Sequence, residues 1–420
     1  MSKLVVSGGK SLEGRVMISG AKNAVLPIIA ASLLTGERVR LDEAPDLIDV
    51  EHMCRIIQAF GGKVERCGTQ LDIEVAEIQS CEAPYEVVDQ LRASIFVMGP
   101  LLARNGRVRI NHPGGCAIGS RPINLHIKGL EALGAQVEMD QGFLDVKAKR
   151  LVGARIFLDF PSVGATENIM MAASAAQGVT TIENVAMEPE IVDLANFINE
   201  LGGKVRGAGT SVIQVEGVTN FHGARHTVIP DRIEAGSYLL LAAATGGDVF
   251  VENVISAHLQ PLLAKMAEAG IAFREEDDGI RVMSSGKFRA VDIKTQVHPG
   301  FPTDLQAIFL AWMTRAAGMS VVVETIFENR FMHVDELRRM GAEIRVEGRN
   351  AIIQGKPRLF GANVTATDLR AGAAMILAAL MAEGVSEIYG VQHIDRGYEN
   401  IVAKITALGG KISRLPVAAE

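Results

Sequence analysis

The chain has 420 residues, 48% of them apolar and 22% charged, with a net charge of −7. That length allows two or three domains with sizeable cores, and the composition is that of a globular chain rather than a disordered one. The acidic balance excludes a broad nucleic-acid face, and apolar runs that end at glycine after roughly 12 residues are too short to cross a bilayer.

From the N-terminus, MSKLVVSGGK carries no apolar signal core. Leu12–Ser19, LEGRVMIS, reads as a strand-forming linker, and KNAVLPIIAASLLTG as a helix that is apolar nearly all round and therefore buried. An amphipathic helix then ends at FGGKVER and turns into a strand. Further along, RVRINHP reads as a strand. RPINLHIKGLEALG reads as a second amphipathic helix, with Ile123, Ile127, Leu130 and Leu133 on one face. The linker returns as LVGARIFL at Leu151–Leu158, FHGARHTV at Phe221–Val228 and LFGANVTA at Leu359–Ala366. SVGATENIMMAASAAQG repeats the buried-helix pattern, and SVVVETI the strand after it.

These segments are copies of one unit. Gly61, Gly134, Gly202, Gly270, Gly341 and Gly409 each follow an amphipathic helix, roughly 70 residues apart. Gly36, Gly106, Gly178, Gly246, Gly318 and Gly384 mark the end of each buried helix at a similar spacing, where a left-handed residue is expected. Six repeats divide into three and three. Because the sixth ends at ISRLPVAAE without a linker, the N-terminal strands are expected to complete it. The expected domains are 22–229, carrying the loop around Cys116, and 230–420 together with 1–21. The chain would then cross twice, near Gly20–Lys22 and Ile229–Asp231.

Polar residues recur at equivalent points. The buried helices start with Lys22 and Asn23, Arg92, Ser162, Arg232, Asp304 and Arg370; the loops entering the second helices carry Cys116–Arg121, Glu188, Arg330 and Arg396. Helices running the same way converge their N-termini on one face, where unpaired N–H groups and added cations favour phosphate or carboxylate. The competing reading, that each arginine pairs with a nearby carboxylate, holds for any one of them taken alone.

The four cysteines, Cys54, Cys67, Cys81 and Cys116, form no C-x-x-C pair, which predicts a reducing, cytoplasmic setting without a disulfide scaffold. Cys116 lies in HPGGCAIGSRPINLH. A zinc site from His112, Cys116 and His126 has poor spacing, and neither a papain-like signature nor a P-loop is present. A small buried hydrophobe is the bland reading of a free cysteine. Gly114, Gly115 and Gly119 predict a mobile loop instead, in which a thiol beside Arg121 is able to donate a proton or be alkylated.

SGAKNAVLP, PGGCAIGSRP, FPTDLQA, FENRFMHV, ATDLRAGAA and HIDRGYE, in this order along the whole chain, closely resemble the enolpyruvyl transferase family, in its branch that acts on UDP-N-acetylglucosamine. The resemblance implies an α/β fold: a two-domain inside-out α/β barrel of six βαβαββ-type units, three per domain. It implies transfer of the enolpyruvyl group of phosphoenolpyruvate to the sugar 3′-hydroxyl with release of phosphate, an early step of peptidoglycan synthesis. No cofactor or metal is implied, and the partners are the two small-molecule substrates, with no nucleic acid or membrane. Oligomeric state is left open.

Carried over by motif, Cys116 resembles the proton donor, the site of covalent attachment of phosphoenolpyruvate and the target of fosfomycin. Lys22 resembles a catalytic, phosphoenolpyruvate-binding lysine, Arg121 and Arg396 a phosphate clamp, and Arg92 and Arg370 further anion contacts. Asn23 matches a position touching both substrates, and Asp304 the carboxylate beside the 3′-hydroxyl. Arg92, Arg121, Pro122, Ile123, Asn124, Leu125, Ser162, Val163, Gly164 and Ile326 match positions that bind the sugar nucleotide. The chain departs from some members at Asn124 for Asp, Phe160 for Lys and Phe96 for Trp. The sister enzyme of the shikimate pathway lacks the cysteine loop, which argues against that alternative.

Overall fold

A computed structural model of the chain describes residues 2–82, 91–111, 119 and 123–417, with the side chains of Arg92 and Asp140 excepted. Cys116, Arg121 and Pro122 lie outside the described residues. The chain divides into two compact units. Among the described residues, one runs from Gly20 to Ile229, and the other joins Ser2–Ser19 to the chain from Pro230 onward, with Gly119 grouped there as well.

Each unit is built around helices that have no solvent face. In Leu369–Met381 every residue from Arg370 to Met381 is buried, and in Arg232–Thr245 every residue from Ile233 to Ala244. Val163–Ala173 and Lys22–Ala31 are buried from their third residue onward. Runs of Ala, Leu and Met make this workable, because these residues favour the helix and lose little side-chain freedom in it. The second helices are amphipathic. Asn124–Ala132 buries His126, Gly129 and Leu130, with Leu133 at its C-cap and Ile123 at its N-cap also buried, while Ile127 is only half-buried. In the fifth repeat the second helix shortens to Val334–Arg339, and in the sixth it splits into Val391–Ile394 and Ile401–Ala407.

The sheets lie outside the helices, one per repeat. A central strand pairs antiparallel with the return strand of a hairpin, as Val39–Asp42 does with Gln70–Glu74. The linker strand of a preceding repeat adds in parallel on the other edge, as Arg155–Phe157 does beside Val179–Glu183. Alternation then puts one face on the helices and the other in water: Val212–Glu216 reads exposed, buried, exposed, buried, exposed.

The linkers close each unit into a ring. Arg225–Thr227, at the end of the third repeat, returns to pair with Val39–Asp42 of the first. Glu13–Met17 pairs with Gly247–Glu252 of the fourth repeat. Ser2–Ser7 enters the sixth sheet between Val385–Tyr389 and Lys411–Pro416, in the place that the return strand of the hairpin holds in the other repeats. The glycines after the amphipathic helices are left-handed in all six repeats, with φ between 83° and 99°. Gly36 departs from its series and is not left-handed; a Cβ there would lie 3.2 Å from the Arg104 guanidinium, so close approach rather than backbone conformation accounts for the glycine.

The crossing segments are held within each unit by buried charge. Ala21 N donates to Ile229 O (2.7 Å), and Ile229 N donates to Asp193 (3.3 Å), which also pairs with buried His226. In the other unit Asp231 N donates to Ser19 O (2.9 Å). Ser19 N donates to Glu234 (2.8 Å), and Lys404 donates to both Ser19 Oγ and Glu234. Burial pushes the Glu234 carboxyl up to about 7, against the pull of Lys404.

Two outcomes follow from this packing. Leu4, fully buried in the inserted strand, costs about 2–5 kcal/mol when cut to alanine, whereas Leu415→Ala on the exposed face of the adjoining strand costs under about 0.5 kcal/mol; urea unfolding measures both. The raised carboxyl of Glu234 also sets a pH slope. The folded chain keeps that proton from the ordinary value of 4.5 up to about 7, so this contribution to stability declines as pH rises through that window. Glu234→Gln flattens the decline, read as urea midpoints at pH 5 and pH 8.

Candidate active site

A helix with no solvent side exposes its polar groups only at its ends. In the Gly20–Ile229 unit the starts carry Lys22 and Asn23, then Arg92, then Ser162. Lys22 is the first residue of its helix, and its Nζ lies 2.7 Å from Oδ2 of Asp49, a buried carboxylate in the first turn of Ile48–Ala59. That carboxylate holds the ammonium group at the helix start, against a helix end that by itself repels a cation. Ser162 caps Val163–Ala173, its Oγ accepting from Ala165 N at 3.4 Å.

Gly164 sits where a side chain would press on two rings: a Cβ there would come within 3.2 Å of His126 and 3.4 Å of Phe96. Asn168, one turn further on, ties three helices together. Its Oδ1 accepts from Gly99 N (2.7 Å), and its Nδ2 donates to Ile95 O (2.7 Å) and faces His126 Nδ1 at 3.1 Å. A buried amide with both ends engaged fixes the relative height of these helix starts. Asn124 is exposed at the first position of its helix, with Leu125 half-buried behind it. Only the backbone of Arg92 is described, at the start of the turn Arg92–Val97.

In the other unit Asp304 lies in the single turn Thr303–Leu305 that leads into Gln306–Met313. Two buried arginines grip it. Arg330 Nη2 donates to Oδ1 at 2.8 Å and Arg370 Nη2 to Oδ2 at 2.9 Å. Burial raises the carboxyl, but Arg370 and Arg330 outweigh it and hold Asp304 well below the usual carboxylate range. Arg370 is buried at the second position of its helix, its guanidinium 5.7 Å from the Tyr398 ring centre, and Tyr398 Oη pairs with Ser237 Oγ at 2.8 Å. Arg330 lies 5.3 Å from the Phe327 ring centre. Among the described residues, Arg370 Nη1 and Arg330 Nε are buried without a hydrogen-bond partner, so this group keeps donor capacity for an anion. Nearby, His333 is driven down to about 4, mainly by burial and also by Arg330, which leaves a neutral ring.

The structure thus gathers Asp304, Arg370 and Arg330 into one contact group. Ile326 lies half-buried in the segment just before Arg330, and Arg396 half-buried in the turn after Val391–Ile394. Lys22, Asn23, Ser162, Val163 and Gly164 lie at helix starts of the other unit. The sequence pattern missed Asp49 and Asn168, whose partners come from distant turns. Of the described cysteines, Cys54 is buried, its thiol pushed up to about 11 by burial, Cys67 is exposed and Cys81 half-buried. Among the described residues no helix is long and apolar enough to cross a membrane, and no group of three His, Cys, Asp or Glu is placed to hold a metal ion.

Residues 6–405 match the family model described as EPSP synthase (3-phosphoshikimate 1-carboxyvinyltransferase). The chain is 58% identical over 417 residues, 99% of its length and 100% of the relative, to UDP-N-acetylglucosamine 1-carboxyvinyltransferase 2 of Carboxydothermus hydrogenoformans. It is 56% identical over 413 residues to UDP-N-acetylglucosamine 1-carboxyvinyltransferase 1 of Caldanaerobacter subterraneus, covering 98% of this chain and 99% of that one. Among solved structures, the enolpyruvyl transferase NikO from Streptomyces tendae superposes with a TM-score of 0.89 at 23% identity, covering 98% of both chains. EPSP synthase from Acinetobacter baumannii superposes at 0.77 and 16% identity, covering 99% of this chain and 100% of that one. The two-domain inside-out α/β architecture is therefore that of the enolpyruvyl transferases.

The grip on Asp304 makes a checkable electrostatic statement. Arg330→Met removes one of its two guanidinium partners, and the Asp304 carboxyl then moves up toward the ordinary range. Carboxyl-carbon NMR of aspartate-labelled protein reads that shift; an unmoved resonance would mean that Arg370 alone sets the charge.

Proposed function

We propose that this chain, which belongs to the EPSP synthase (3-phosphoshikimate 1-carboxyvinyltransferase) family, transfers the enolpyruvyl group of phosphoenolpyruvate to the 3′-hydroxyl of UDP-N-acetylglucosamine and releases phosphate. The observation that carries this reading is the 58% identity along 99% of the chain to a relative of that activity. The reaction serves peptidoglycan synthesis and the building of the cell wall. The proposal places it in the cytoplasm, a compartment that keeps a reactive thiol reduced.

The chemistry is an addition followed by an elimination. The 3′-oxygen attacks C2 of the enol, and C3 takes a proton to become a methyl group. The tetrahedral ketal then loses a proton from that methyl and expels phosphate, which restores the double bond. The chain must supply a donor at C3, an acceptor for the hydroxyl proton and cations for two anionic groups. In this reading Cys116 donates the proton and also forms the covalent adduct. Lys22, Arg121 and Arg396 bind the phosphate and the developing charge, with Asn23, Arg92 and Arg370 as further contacts. Arg92, Arg121, Pro122, Ile123, Asn124, Leu125, Ser162, Val163, Gly164 and Ile326 bind the sugar nucleotide with Asn23.

Asp304 is the proposed base, and its environment supports a specific form of that role. Held well below the usual range by Arg370 and Arg330, it is a poor proton acceptor in the unliganded protein. An anionic substrate that engages Arg370 shares that cation. The carboxyl is then less stabilised as the anion and becomes more basic when the hydroxyl is to be activated. Substrate binding thereby tunes the base.

Mixing purified protein with phosphoenolpyruvate and UDP-N-acetylglucosamine yields phosphate if this reading is right, and no release from folded protein rules it out. Cys116→Ala lowers turnover by about 100-fold or more, the size expected for losing a general acid. Fosfomycin adds its mass to the wild type and not to that variant; labelling of Cys54, Cys67 or Cys81 instead would show that Cys116 is the wrong cysteine for the thiol role.

A further inference from the structure

The repeats provide an internal control for one position. In five of them the last residue of the central strand accepts, through its carbonyl, the N–H that ends the linker strand. The pairs are Val228 N to Asp42 O, Leu158 N to Glu183 O, Ile18 N to Glu252 O, Thr295 N to Val323 O and Ala366 N to Tyr389 O. The residues that follow are therefore equivalent: Glu43, Asn184, Asn253, Glu324 and Gly390. Four of these are left-handed, with φ of 58°, 56°, 59° and 73° for Glu43, Asn184, Asn253 and Gly390. The two asparagines then donate to the carbonyl at the end of the linker strand, Asn184 to Leu158 (2.7 Å) and Asn253 to Ile18 (2.9 Å).

Glu324 is the exception, and it is not left-handed. Thr325 takes over the linker contact in its place, its Oγ1 donating to Thr295 O at 2.6 Å. The Glu324 carboxylate is 1% exposed and turns to other work. Its Oε1 accepts from Thr295 Oγ1 (2.9 Å), Ile326 N (2.8 Å) and Phe327 N (3.2 Å). Its Oε2 accepts from Thr303 Oγ1 (2.9 Å). Thr303 is the residue before Asp304, in the same single turn. One carboxylate therefore ties the turn that bears Asp304 to the backbone of Ile326 and Phe327, and the Phe327 ring faces Arg330, which itself pairs with Asp304.

We infer that Glu324 is a positioning residue for the transfer reaction, fixing the Asp304 turn through Thr303 and the Ile326–Phe327 backbone directly. The inference rests on the reading of Asp304 as the base. A carboxylate suits the task because it only accepts, so its two oxygens collect two hydroxyls and two amides without a competing donor. A buried acceptor with four partners is costly to disturb and therefore rigid. A single turn of three residues has little stiffness of its own, and a base displaced by an ångström loses much of its rate.

The test cuts one link with nearly isosteric changes. Thr303→Val removes the hydroxyl at constant shape, and Thr303→Ser keeps it. Thr303→Val lowers kcat by roughly tenfold or more, with KM for UDP-N-acetylglucosamine within about twofold, and Thr303→Ser stays within about twofold of wild type in both. Crystals of Thr303→Val show Asp304 displaced from Arg330 or Arg370. A valine variant with wild-type turnover, a serine variant as impaired as the valine one, or an unmoved Asp304 overturns the inference. Should Thr303→Val fail to fold, Glu324→Gln is read in the same way, with faster exchange of the Ile326 and Phe327 amides expected and unchanged exchange counting against it. Asp304→Asn is measured alongside. If it turns over normally the base reading fails, while the displacement of Asp304 still decides whether Glu324 positions that turn.

Discussion

The buried helix is the constraint on which the rest of the molecule depends. Helices such as Leu369–Met381 touch protein on every side, so a polar side chain along their length is cut off from water. Chemistry is confined to the ends. The unpaired N–H groups of a helix start favour negative charge, so the cationic residues found there sit against the local field. Lys22 needs buried Asp49, and Arg370 needs Asp304, to be held in place. Buried ion pairs of this kind are poor sources of stability. Their presence at helix starts, where the proposed reaction needs an anionic substrate to bind, is better explained by the placement of charge than by the strength of the fold.

In the proposed reaction, ion pairs placed in this way are exchangeable. A carboxylate that compensates a cation in the free protein would compete with the carboxylate or phosphate of a substrate for the same donors. Asp304 has the sharper form of this competition, because both of its oxygens are engaged by arginines that themselves retain unpaired N–H groups. On the proposed reading, the substrate does not have to create a charged site. It has to enter one that is already balanced and shift that balance.

Periodicity made much of the architecture legible. Six glycines at a constant interval marked the turns after the amphipathic helices, and all six are left-handed. The helix starts at Lys22, Ser162, Arg232 and Arg370 were readable from the same repeat, because a start signal recurs with its helix. What the repeat could not supply was the identity of partners. Asp304 and Arg370 are 66 positions apart, and Asn168 and Ile95 are 73 apart. A period says which positions are equivalent, not which side chains meet across the ring. Glu324 shows the converse case. Four of the five equivalent residues, Glu43 among them, are left-handed and Glu324 is not, and only the hydrogen bonds of the linker strands reveal that the position is shared at all. Gly36 fits its series by spacing but is glycine for want of room rather than for its backbone angle.

The ring closure bears on how the chain is made. Every described strand of the Gly20–Ile229 unit pairs within that stretch, so its sheets can be finished while later residues are still being added. The other unit is built from both ends of the chain. Glu13–Met17 waits for Gly247–Glu252, and Ser2–Ser7 waits for Val385–Tyr389 and Lys411–Pro416. Until synthesis reaches those segments, Leu4, Val6 and Val16 have no sheet to cover them. Strand edges left open in this way invite wrong pairings. The strands made long before their partners are therefore the ones in longest need of protection, and the sixth sheet cannot be completed until Lys411–Pro416 has been made.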